Sequence, residues 1–438
     1  MVKLYNHFKN QKILIYGFGK SGYSCFVNLN KENYLNIFDD NKKLLPNEKK
    51  KFYISRKDLF KTNYDLIVVS PGIDLNKCSI KKYLKKNKSK IITELDIFYL
   101  KNQNNQKITI TGTNGKSTTS KLLFDILKNC KKDVRLVGNI GNPILLEKNI
   151  KKKTIFVIEA SSYQIDYSRY FKSDYSVILN IYPDHLERHK TFKNYIKAKF
   201  KLIKNQNNNC YAYVNQNDKY TLKEIKNYNL KNKIIKVKNF TPKKILDKIK
   251  NPYFKNINNQ SNLNFVIEIC KNLKINNNKI LKVVNSFKAL KYRQEIIYKN
   301  NHLLIMNDSK STSFSSSLNI LQSYKNIFWI VGGKFKKGDK FNLKDKYYKN
   351  INAYIYGKNK NFFINSFKNK IKFKLFKNLR EVLLEVIKDF KKINNVTQNV
   401  IFSPSAASFD QFNNFEDRGK YFNFLIKKLN FIKKINEK

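Results

Sequence analysis

The chain has 438 residues, and 41% of them are hydrophobic, which is enough to bury cores in about two or three domains and excludes a disordered chain. It carries 88 Lys and Arg residues against 32 Asp and Glu residues, a net charge of +56. No run approaches the roughly 18 uninterrupted apolar residues of a membrane-spanning helix, so the composition predicts no membrane span.

The positive charge has two interpretations. A selected basic surface would bind nucleic acid or another anionic partner. A compositional bias would enrich Lys, Asn and Ile, whose codons are rich in A and T, along the whole chain, and the lysines are indeed spread throughout. We favour the bias and expect no nucleic-acid partner, because no RNA- or DNA-binding signature accompanies the charge.

The five cysteines indicate a reducing compartment. They lie far apart, their number is odd, and no C-x-x-C motif is present. These features favour free thiols over a disulfide framework or a zinc site. The amino-terminal residues MVKLYNHFKN lack an apolar signal-peptide core. We therefore expect a cytoplasmic protein, and we expect it to act as a monomer.

Short apolar runs alternate with longer, helix-like segments, which is typical of an α/β fold with mostly parallel sheets and ligands at the carboxyl ends of the strands. Three sets of such units predict three domains, at residues 1–97, 98–296 and 297–438, with an Asn-rich linker at 101–106. The predicted strands lie within residues 12–19, 64–72, 107–113, 154–162, 175–181, 302–309, 327–334, 353–357 and 399–406.

The first glycine-rich segment is GFGKSG (17–22), which follows a strand and precedes Asp39. It has the G-x-G-x-x-G spacing of a dinucleotide-binding turn, a weak signal when it stands alone. A nicotinamide-dependent dehydrogenase would explain this segment. That hypothesis leaves the second glycine-rich segment unexplained.

The second segment, ITGTNGKSTTS (110–120), is the most specific motif of the chain. A strand ends at Ile110, a glycine loop follows, and a helix begins near Ser117. Such a loop directs backbone N–H groups at phosphate oxygens, while Lys116 would contact the β- and γ-phosphates of ATP and Ser117 would hold Mg²⁺. The predicted ATP-binding loop comprises Gly112, Thr113, Asn114, Gly115, Lys116, Ser117 and Thr118.

The loop departs from the general pattern G-x-x-x-x-G-K-[ST], because Ile110 stands where the first glycine would fall. Its form, T-G-T-N-G-K-[ST], resembles that of the Mur ligase and folylpolyglutamate synthase superfamily. The resemblance implies a Rossmann-like N-terminal domain for a UDP-linked substrate, a central P-loop ATPase-like domain, and a Rossmann-like C-terminal domain for an amino acid. It also implies ATP and two Mg²⁺ sites.

Within the central segment, the resemblance implies metal ligands in addition to Ser117. Glu159 ends a strand, His185 lies in PDHLERH (183–189), and Lys199 matches a lysine that is carbamylated in relatives, which turns a cation into an anionic ligand. His185 is also a candidate general base, whereas we expect His189 at the surface. Asn139, in NIGNP (139–143), is similar to a nucleotide-site asparagine of the family and is a candidate substrate-binding residue.

Further nucleotide contacts are implied towards the end of the central segment and beyond it. NNQSN (258–262) resembles an H-N-x-x-N element, and YRQE (292–295) resembles H-R-x-E, in each case without the histidine. The ATP-binding residues carried over from these elements and from the next motif are Asn259, Asn262, Arg293 and Asp308.

The C-terminal segment resembles the D-glutamate ligases of the superfamily. The matching elements are NDSKSTS (307–313), GGKFKKGD (332–339) and FSPSAASFDQFNNFEDRG (402–419). A substrate with two carboxylates requires cations and hydroxyl groups. The implied residues are Lys310 for catalysis, Thr312, Lys336, Ser408, Phe409 and Phe415 for D-glutamate, and Asp410 and Arg418 for the loop.

Under the same resemblance, the N-terminal domain holds the UDP group instead of a dinucleotide. Lys20 and Ser21 are expected near the diphosphate, and Ser70, Pro71 and Gly72 near the uridine. Asp40 and Asn41 are also candidates for the uridine site, although relatives have a Thr-Arg pair there.

The implied reaction is ATP-dependent ligation of D-glutamate to UDP-N-acetylmuramoyl-L-alanine through an acyl phosphate, in the synthesis of peptidoglycan precursors. Lys116, Lys310 and Mg²⁺ would stabilise the charge that develops on oxygen atoms. Another ligase of the superfamily and a basic nucleic-acid-binding ATPase remain alternatives, and residues 402–419 argue against the former.

Overall fold

The computed structural model describes residues 8–41, 46–255, 257–336, 338–392 and 397–436. Strands and helices alternate along the chain, and the predicted α/β class is confirmed. Within these residues, no helix combines the length and the apolar character needed to cross a bilayer.

The first sheet has four parallel strands in the order β2-β1-β3-β4. Alternate residues of β1 face opposite sides, so Ile13 and Ile15 join one apolar cluster while Leu14 and Tyr16 join another. Its elements are β1 (Lys12–Tyr16), α1 (Lys20–Leu29), β2 (Tyr34–Phe38), α2 (Arg56–Lys61), β3 (Leu66–Val69), α3 (Lys81–Lys86), β4 (Ile91–Ile92) and α4 (Glu94–Lys101), with 3₁₀ turns at Asn47–Phe52 and Lys88–Lys90.

The second sheet has six parallel strands in the order β10-β9-β8-β5-β7-β6. Its strands are β5 (Gln106–Thr111), β6 (Val134–Gly138), β7 (Ile155–Glu159), β8 (Tyr175–Ile178), β9 (Tyr211–Asn215) and β10 (Lys233–Val237). Because β5 lies between β7 and β8, the residues that follow these three strands meet at one edge of the sheet.

The helices that accompany the second sheet include two short ones of four residues, α7 and α10. The helices are α5 (Lys116–Asn129), α6 (Ser162–Tyr167), α7 (Leu186–His189), α8 (Phe192–Lys204), α9 (Lys219–Lys226), α10 (Lys243–Leu246), α11 (Ile257–Asn272) and α12 (Asn277–Ser286), with 3₁₀ turns at Ile144–Leu146 and Pro252–Lys255.

The third sheet has the order β11-β12-β16-β13-β14-β15, and all its neighbours are parallel except the hairpin of β11 and β12. Its strands are β11 (Glu295–Lys299), β12 (Leu303–Asn307), β13 (Ile327–Gly332), β14 (Ile351–Tyr356), β15 (Lys372–Leu375) and β16 (Gln398–Phe402). Its helices are α13 (Phe314–Ser323), α14 (Lys360–Phe367), α15 (Leu379–Lys391), α16 (Phe415–Lys428) and α17 (Phe431–Asn436), with a 3₁₀ turn at Asp345–Asn350.

The chain separates into two compact units. The first unit comprises Met1–Asn251 and Asn259–Ser286 and contains the first and second sheets. The second unit comprises Pro252–Asn258 and Phe287–Lys438 and contains the third sheet. The predicted boundaries of three domains, after residues 97 and 296, remain predictions.

Candidate functional site

The predicted ATP-binding loop connects β5 to the start of α5 in the first unit. Gly115 caps the helix in the left-handed region, with a φ of 85°. A Cβ atom at this position would collide with the side-chain oxygen of Asn262. The loop and α11 therefore approach so closely that only glycine fits there, and the structure brings Asn262 to the loop. Asn259, one turn earlier, is also buried.

Two residues that the sequence analysis did not identify hold the loop in place. Asn180 follows β8, and its backbone oxygen accepts from the N–H of Thr113 at 2.9 Å. Its side chain accepts from the N–H of Asn114 at 2.9 Å and donates to the oxygen of Asn114 at 3.1 Å. The hydroxyl groups of Thr113 and Tyr195 lie 3.0 Å apart.

Lys116 and Lys199 both contact the beginning of the loop. The Nζ atom of Lys116 donates to the backbone oxygens of Gly112 and Thr113, at 2.8 and 2.9 Å. The Nζ atom of Lys199 donates to the same oxygen of Gly112 at 2.8 Å and lies 4.8 Å from the ring centroid of Tyr195. The sequence-predicted lysines from two different helices therefore meet at one carbonyl group.

Lys199 has only 1% of its surface exposed. Burial, and secondly the charge of Lys116, lower the pKa of Lys199 well below its ordinary value, although Asp184 and Glu159 act in the opposite direction. A lowered pKa increases the neutral fraction of an amine, which is its nucleophilic form.

Glu159 ends β7 beside β5 and β6, with 1% of its surface exposed. Its Oε1 atom accepts from the side chain of Asn139 at 2.8 Å, whereas Oε2 is buried and has no hydrogen-bond partner among the described residues. A buried carboxylate oxygen without a donor is costly unless a cation neutralises it. This oxygen therefore fits a divalent cation.

The other predicted metal ligands add few charged oxygens. Ser117 is buried at the start of α5, and the described residues contain no group of three or more His, Cys, Asp or Glu side chains arranged to hold a metal. Mg²⁺ commonly binds through one or two carboxylates and completes its shell with phosphate oxygens and water. The donor set therefore fits a cation that arrives with a nucleotide.

His185 and His189 lie at opposite ends of a tight turn. His185 has a left-handed backbone, with a φ of 55°, and its ring nitrogens lie 3.5 Å from carboxylate oxygens of Asp184 and Glu187. The expectation that His189 is at the surface is wrong, because only 6% of it is exposed. Helix α7 is so short that its last residue turns inward, where the Nε2 atom of His189 lies 3.0 Å from the Ser162 hydroxyl.

The burial of His189 also affects its charge. Burial, followed by the positive charges around it, lowers the pKa of His189 to about 4. The imidazole is therefore neutral at physiological pH. It packs between the rings of Tyr163 and Tyr195, whose centroids lie 5.4 and 5.3 Å away.

The predicted UDP-binding residues meet at the carboxyl ends of β1 and β3, which are neighbours in the first sheet. Ser70 donates from its hydroxyl to the backbone oxygen of Gly17 at 2.6 Å. Lys20 and Ser21 begin α1, and Pro71 and Gly72 follow Ser70 directly. The structure therefore brings the five candidates of this set to one edge.

The two aspartates after β2 are engaged by the protein itself. Asp39 accepts from the backbone N–H groups of Phe18 and Asn41, at 2.6 and 2.8 Å. This carboxylate is therefore occupied by the glycine turn, which disfavours a dinucleotide ribose as its partner. Asp40 accepts from the hydroxyl of Tyr16 at 2.7 Å and from the hydroxyl of Ser79.

In the second unit, Asp308 and Arg418 are both buried. Asp308 accepts from the Ser403 hydroxyl at 2.9 Å and from the backbone N–H of Gln294 at 3.0 Å. Burial raises the pKa of Asp308 to about 7. Arg418 is fully buried and donates to the hydroxyl and backbone oxygens of Ser309, at 3.0 and 2.7 Å.

Lys310, Arg293 and Phe415 form a second cluster in this unit. The Nζ atom of Lys310 lies 4.0 Å from the ring centroid of Phe415, and the guanidinium carbon of Arg293 lies 5.9 Å from the same centroid. Ser408 is buried, with 2% of its surface exposed, whereas Phe409 is 69% exposed. The structure therefore separates these two neighbours into an inner and an outer position.

The loop that carries Lys336 is hydrogen-bonded to the start of α13. Asp339, three residues later, accepts from the backbone N–H of Phe314 at 2.8 Å, at the start of α13. The segment carrying Thr312 is thereby fixed to the loop that carries Lys336. Asp410 is half-buried beside Gly357, where a Cβ atom would approach its carboxylate oxygen to 2.9 Å.

Comparisons with known proteins fit this arrangement. The chain matches the Mur ligase middle domain over residues 110–276. It is 34% identical over 446 residues to the UDP-N-acetylmuramoylalanine–D-glutamate ligase of Rickettsia prowazekii, and the match covers 95% of this chain and 98% of the relative. The enzyme of the same name from Francisella tularensis subsp. novicida is 34% identical over 442 residues, which cover 97% of this chain and 98% of the relative.

The chain belongs to the Mur ligase family. It is therefore an ATP-dependent ligase of a family that acts in the synthesis of peptidoglycan precursors.

Solved structures support the fold of this Mur ligase. The UDP-N-acetylmuramate–alanine ligase MurC of Thermotoga maritima aligns with a TM-score of 0.56 and 16% identity, covering 96% of this chain and 100% of that chain. The MurF ligase of Thermotoga maritima in complex with ADP aligns with a TM-score of 0.54 and 15% identity, covering 85% of this chain and 91% of that chain. At such identities the likeness concerns the fold alone.

Proposed function

We propose that this Mur ligase joins D-glutamate to UDP-N-acetylmuramoyl-L-alanine, with conversion of ATP to ADP and phosphate. The observation that carries the proposal is the meeting of Lys116 and Lys199 at the oxygen of Gly112, at the edge of the predicted ATP-binding loop. The choice of substrates is supported by the relatives of that name and by residues 402–419, which resemble the D-glutamate ligases.

The reaction has two chemical steps. A carboxylate oxygen of the UDP-linked substrate attacks the γ-phosphorus of ATP, the bond to ADP breaks, and an acyl phosphate forms. The neutral amine of D-glutamate then attacks the acyl carbon, loses a proton, and displaces phosphate as the amide bond forms. Charge accumulates on phosphoryl and carbonyl oxygens in both steps, so fixed cations lower the barriers.

Lys116 is suited to the first step. Lys116 is the first residue of α5. At this position the helix N-terminus and the backbone N–H groups of the loop favour anions. Its hydrogen bonds to Gly112 and Thr113 hold the amine over the loop. We propose that this amine binds the transferring phosphoryl group, and that Thr113, Asn114 and Ser117 hold the neighbouring phosphate oxygens.

We further propose that Mg²⁺ binds at Ser117, Glu159, His185 and Lys199. The unpartnered Oε2 atom of Glu159 supports this set, because a buried carboxylate oxygen needs a cation. When bound, Mg²⁺ would supply Lewis-acid stabilisation of phosphoryl oxygens. Asn139 has a supporting part, since its hydrogen bond fixes the other oxygen of Glu159.

Carbamylation of Lys199 belongs to the same proposal. Addition of CO₂ requires a neutral amine, and the burial of Lys199 favours that form. A carbamate retains one N–H group, so the side chain keeps a donor for the Gly112 oxygen while it gains two anionic oxygens. The side chain beside Lys116 thereby gains a negative charge.

In the second unit, we propose that D-glutamate contacts Thr312, Lys336, Ser408, Phe409 and Phe415. The cationic groups of Lys310 and Arg293 lie over the ring of Phe415, so the cluster offers positive charge to an anionic ligand. We propose that Asp410 and Arg418 stabilise the loop within residues 402–419. We propose Arg293 and Asp308 as nucleotide contacts. We also propose that the enzyme acts as a cytoplasmic monomer.

The experiment is a phosphate-release assay with ATP, Mg²⁺ and UDP-N-acetylmuramoyl-L-alanine. D-Glutamate is compared with L-glutamate, meso-diaminopimelate and L-lysine, and the amide product is identified by mass. Release that depends on D-glutamate supports the proposal. Release that depends on another of these amino acids, or none with any, contradicts it. Light scattering of the same sample measures the oligomeric state.

A further inference from the structure

We propose that Arg188 is a positioning residue for the UDP-linked substrate. It fixes the loop of Pro71, Gly72 and Ile73, which follows β3, against the turn that carries His185. This inference rests on the proposed function, because it concerns the UDP-linked substrate of that reaction. No motif singled out Arg188, which lies between two histidines in PDHLERH.

The contacts of Arg188 converge on that loop. Its guanidinium group donates to the backbone oxygens of Pro71 at 3.2 Å, Gly72 at 3.3 Å and Ile73. It also donates to the hydroxyl of Tyr167 at 2.7 Å. A planar guanidinium has five N–H donors in a fixed arrangement, which suits several carbonyl oxygens around one group.

Aromatic rings hold the guanidinium in place on the side of the second sheet. Its central carbon lies 5.0 Å from the ring centroid of Tyr163 and 5.1 Å from that of Tyr167. The ring of Tyr163 also lies 4.9 Å from the imidazole of His185. One continuous set of contacts therefore runs from the predicted metal ligand His185, through Tyr163 and Arg188, to the loop after Ser70.

These contacts determine how the loop presents its backbone. All described peptide bonds are trans, so the N–H of each peptide points away from its carbonyl group. Because the oxygen of Pro71 faces Arg188, the N–H of Gly72 is directed to the opposite side. A Cβ atom at Gly72 would meet no heavy atom within 4 Å, so space for a ligand exists beside this residue.

The loop is also tied to the glycine turn of the first sheet, because the Ser70 hydroxyl donates to the oxygen of Gly17. Ser70, Pro71 and Gly72 are proposed to contact the uridine. Arg188, which lies in the turn that carries His185, therefore orders this proposed uridine-binding loop. Loss of Arg188 is expected to weaken binding of the UDP-linked substrate and to leave the ATP site intact.

Arg169 provides a matched control. It also lies in the first unit, and its guanidinium likewise donates from the region of the second sheet to a backbone oxygen in the region of the first, that of Ser89. Its ring contact is with Tyr170, at 5.3 Å. Ser89 and Tyr170 belong to no proposed site, so Arg169→Ala removes a similar contact at an unrelated place.

The experiment compares the unmodified chain with Arg188→Ala, Arg188→Lys and Arg169→Ala. The steady-state assay gives kcat and the KM for each of the three substrates, and calorimetry gives the affinity for UDP-N-acetylmuramoyl-L-alanine without ATP. For Arg188→Ala we expect KM and Kd for this substrate to rise about tenfold or more, the effect of losing hydrogen bonds from a charged group. The KM values for ATP and D-glutamate should change by less than about twofold.

For Arg188→Lys, the KM for the UDP-linked substrate should lie between those of the unmodified chain and Arg188→Ala. A compact ammonium can donate to fewer of the carbonyl oxygens than a guanidinium group can. Arg169→Ala should retain the KM of the unmodified chain. The inference is overturned if Arg188→Ala matches Arg169→Ala, or if all three KM values and the melting temperature change together. If the unmodified chain shows no reaction with D-glutamate, the proposed function fails instead, which is a different result from an active chain with an insensitive Arg188.

Discussion

Lys116 and Lys199 donate to the same acceptor, the backbone oxygen of Gly112, each at a distance of 2.8 Å. They come from α5 and α8, which are separated along the chain by β6, β7 and β8. Two ammonium groups at one carbonyl repel each other, and the charge of Lys116 contributes to the lowered pKa of Lys199. Lys116 is only partly buried, whereas Lys199 is buried and its lowered pKa favours the neutral amine.

The first prediction concerns Lys116. Replacing Lys116 with Ala should reduce kcat by about 10²–10³-fold, the usual cost of losing one fixed donor to a developing charge. The melting temperature should change little, since the lysine is the first residue of α5 and is only partly buried. Lys128→Ala on the exposed face of the same helix is the control and should be fully active. An active Lys116→Ala protein would exclude the lysine from phosphoryl transfer.

The second prediction concerns Lys199. Lys199→Ala should lose ligase activity, and a short carboxylate such as acetate should restore part of it by occupying the space of the carbamate. Lys197→Ala is the matched control, because it removes an exposed lysine from the same helix. Mass spectrometry of the intact protein under CO₂ should detect a labile addition on the unmodified chain but not on Lys199→Ala. Full activity of Lys199→Ala would rule out the carbamate.

The sequence analysis identified every inner strand of the three sheets except β9 and missed all six edge strands. All nine predicted strands are present, as β1, β3, β5, β7, β8, β12, β13, β14 and β16. The strands that it missed are β9 and the edge strands β2, β4, β6, β10, β11 and β15. Edge strands are covered less completely, so their sequences carry polar residues, as in KIIKV of β10 and KFKL of β15, and lack a long apolar run.

The site residues also differ in how well the sequence predicted them. The position of a motif residue such as Lys116 was predicted correctly, because the motif directly follows a strand. Residues that act by long-range contacts gave no local signal, as with Arg188, whose acceptors Pro71 and Gly72 lie more than 100 positions away. Asn180 could have been predicted, because it lies near the end of the predicted strand 175–181, which pairs with β5. The burial of His189 could not, since it results from the early end of α7.

The third prediction concerns the cation site. Glu159→Gln keeps the shape of the side chain and an oxygen for the amide of Asn139, but removes the negative charge from Oε2. The Mg²⁺ concentration for half-maximal activity should therefore rise by at least about 10–100-fold, the range seen for residues that only support a metal ligand. A titration of activity against Mg²⁺ measures this change.

Glu268→Gln is the control for this titration, because Glu268 forms a partly exposed ion pair with Lys271. Its Mg²⁺ dependence should equal that of the unmodified chain. If Glu159→Gln shows the same Mg²⁺ dependence as Glu268→Gln, the oxygen of Glu159 does not bind the cation. An increased melting temperature of Glu159→Gln in the absence of Mg²⁺ would agree with relief of an unpartnered buried charge.

The fourth prediction concerns the pH dependence of stability at Asp308. Burial raises the pKa of Asp308 to about 7, from an ordinary value of 3.8. Between these values the folded protein retains a proton that the unfolded chain has lost. The stability contributed by Asp308 is therefore complete below about pH 4 and falls, by up to about 1.4 kcal/mol per pH unit, as the pH rises towards 7.

Asp308→Asn removes this titration, so its stability relative to the unmodified chain should improve as the pH is raised from 5 to 8. Denaturant unfolding at several pH values measures the difference in the free energy of unfolding. Asp389→Asn is the contrasting control, because Lys374 and Tyr354 lower the pKa of Asp389 against the effect of burial. Asp389 is ionised in both states above pH 5, so its substitution should give a loss that is constant across the same range. A constant difference for Asp308→Asn as well would mean that Asp308 is already ionised in the folded protein at pH 5, because only a proton held by the folded state can make the two variants diverge with pH.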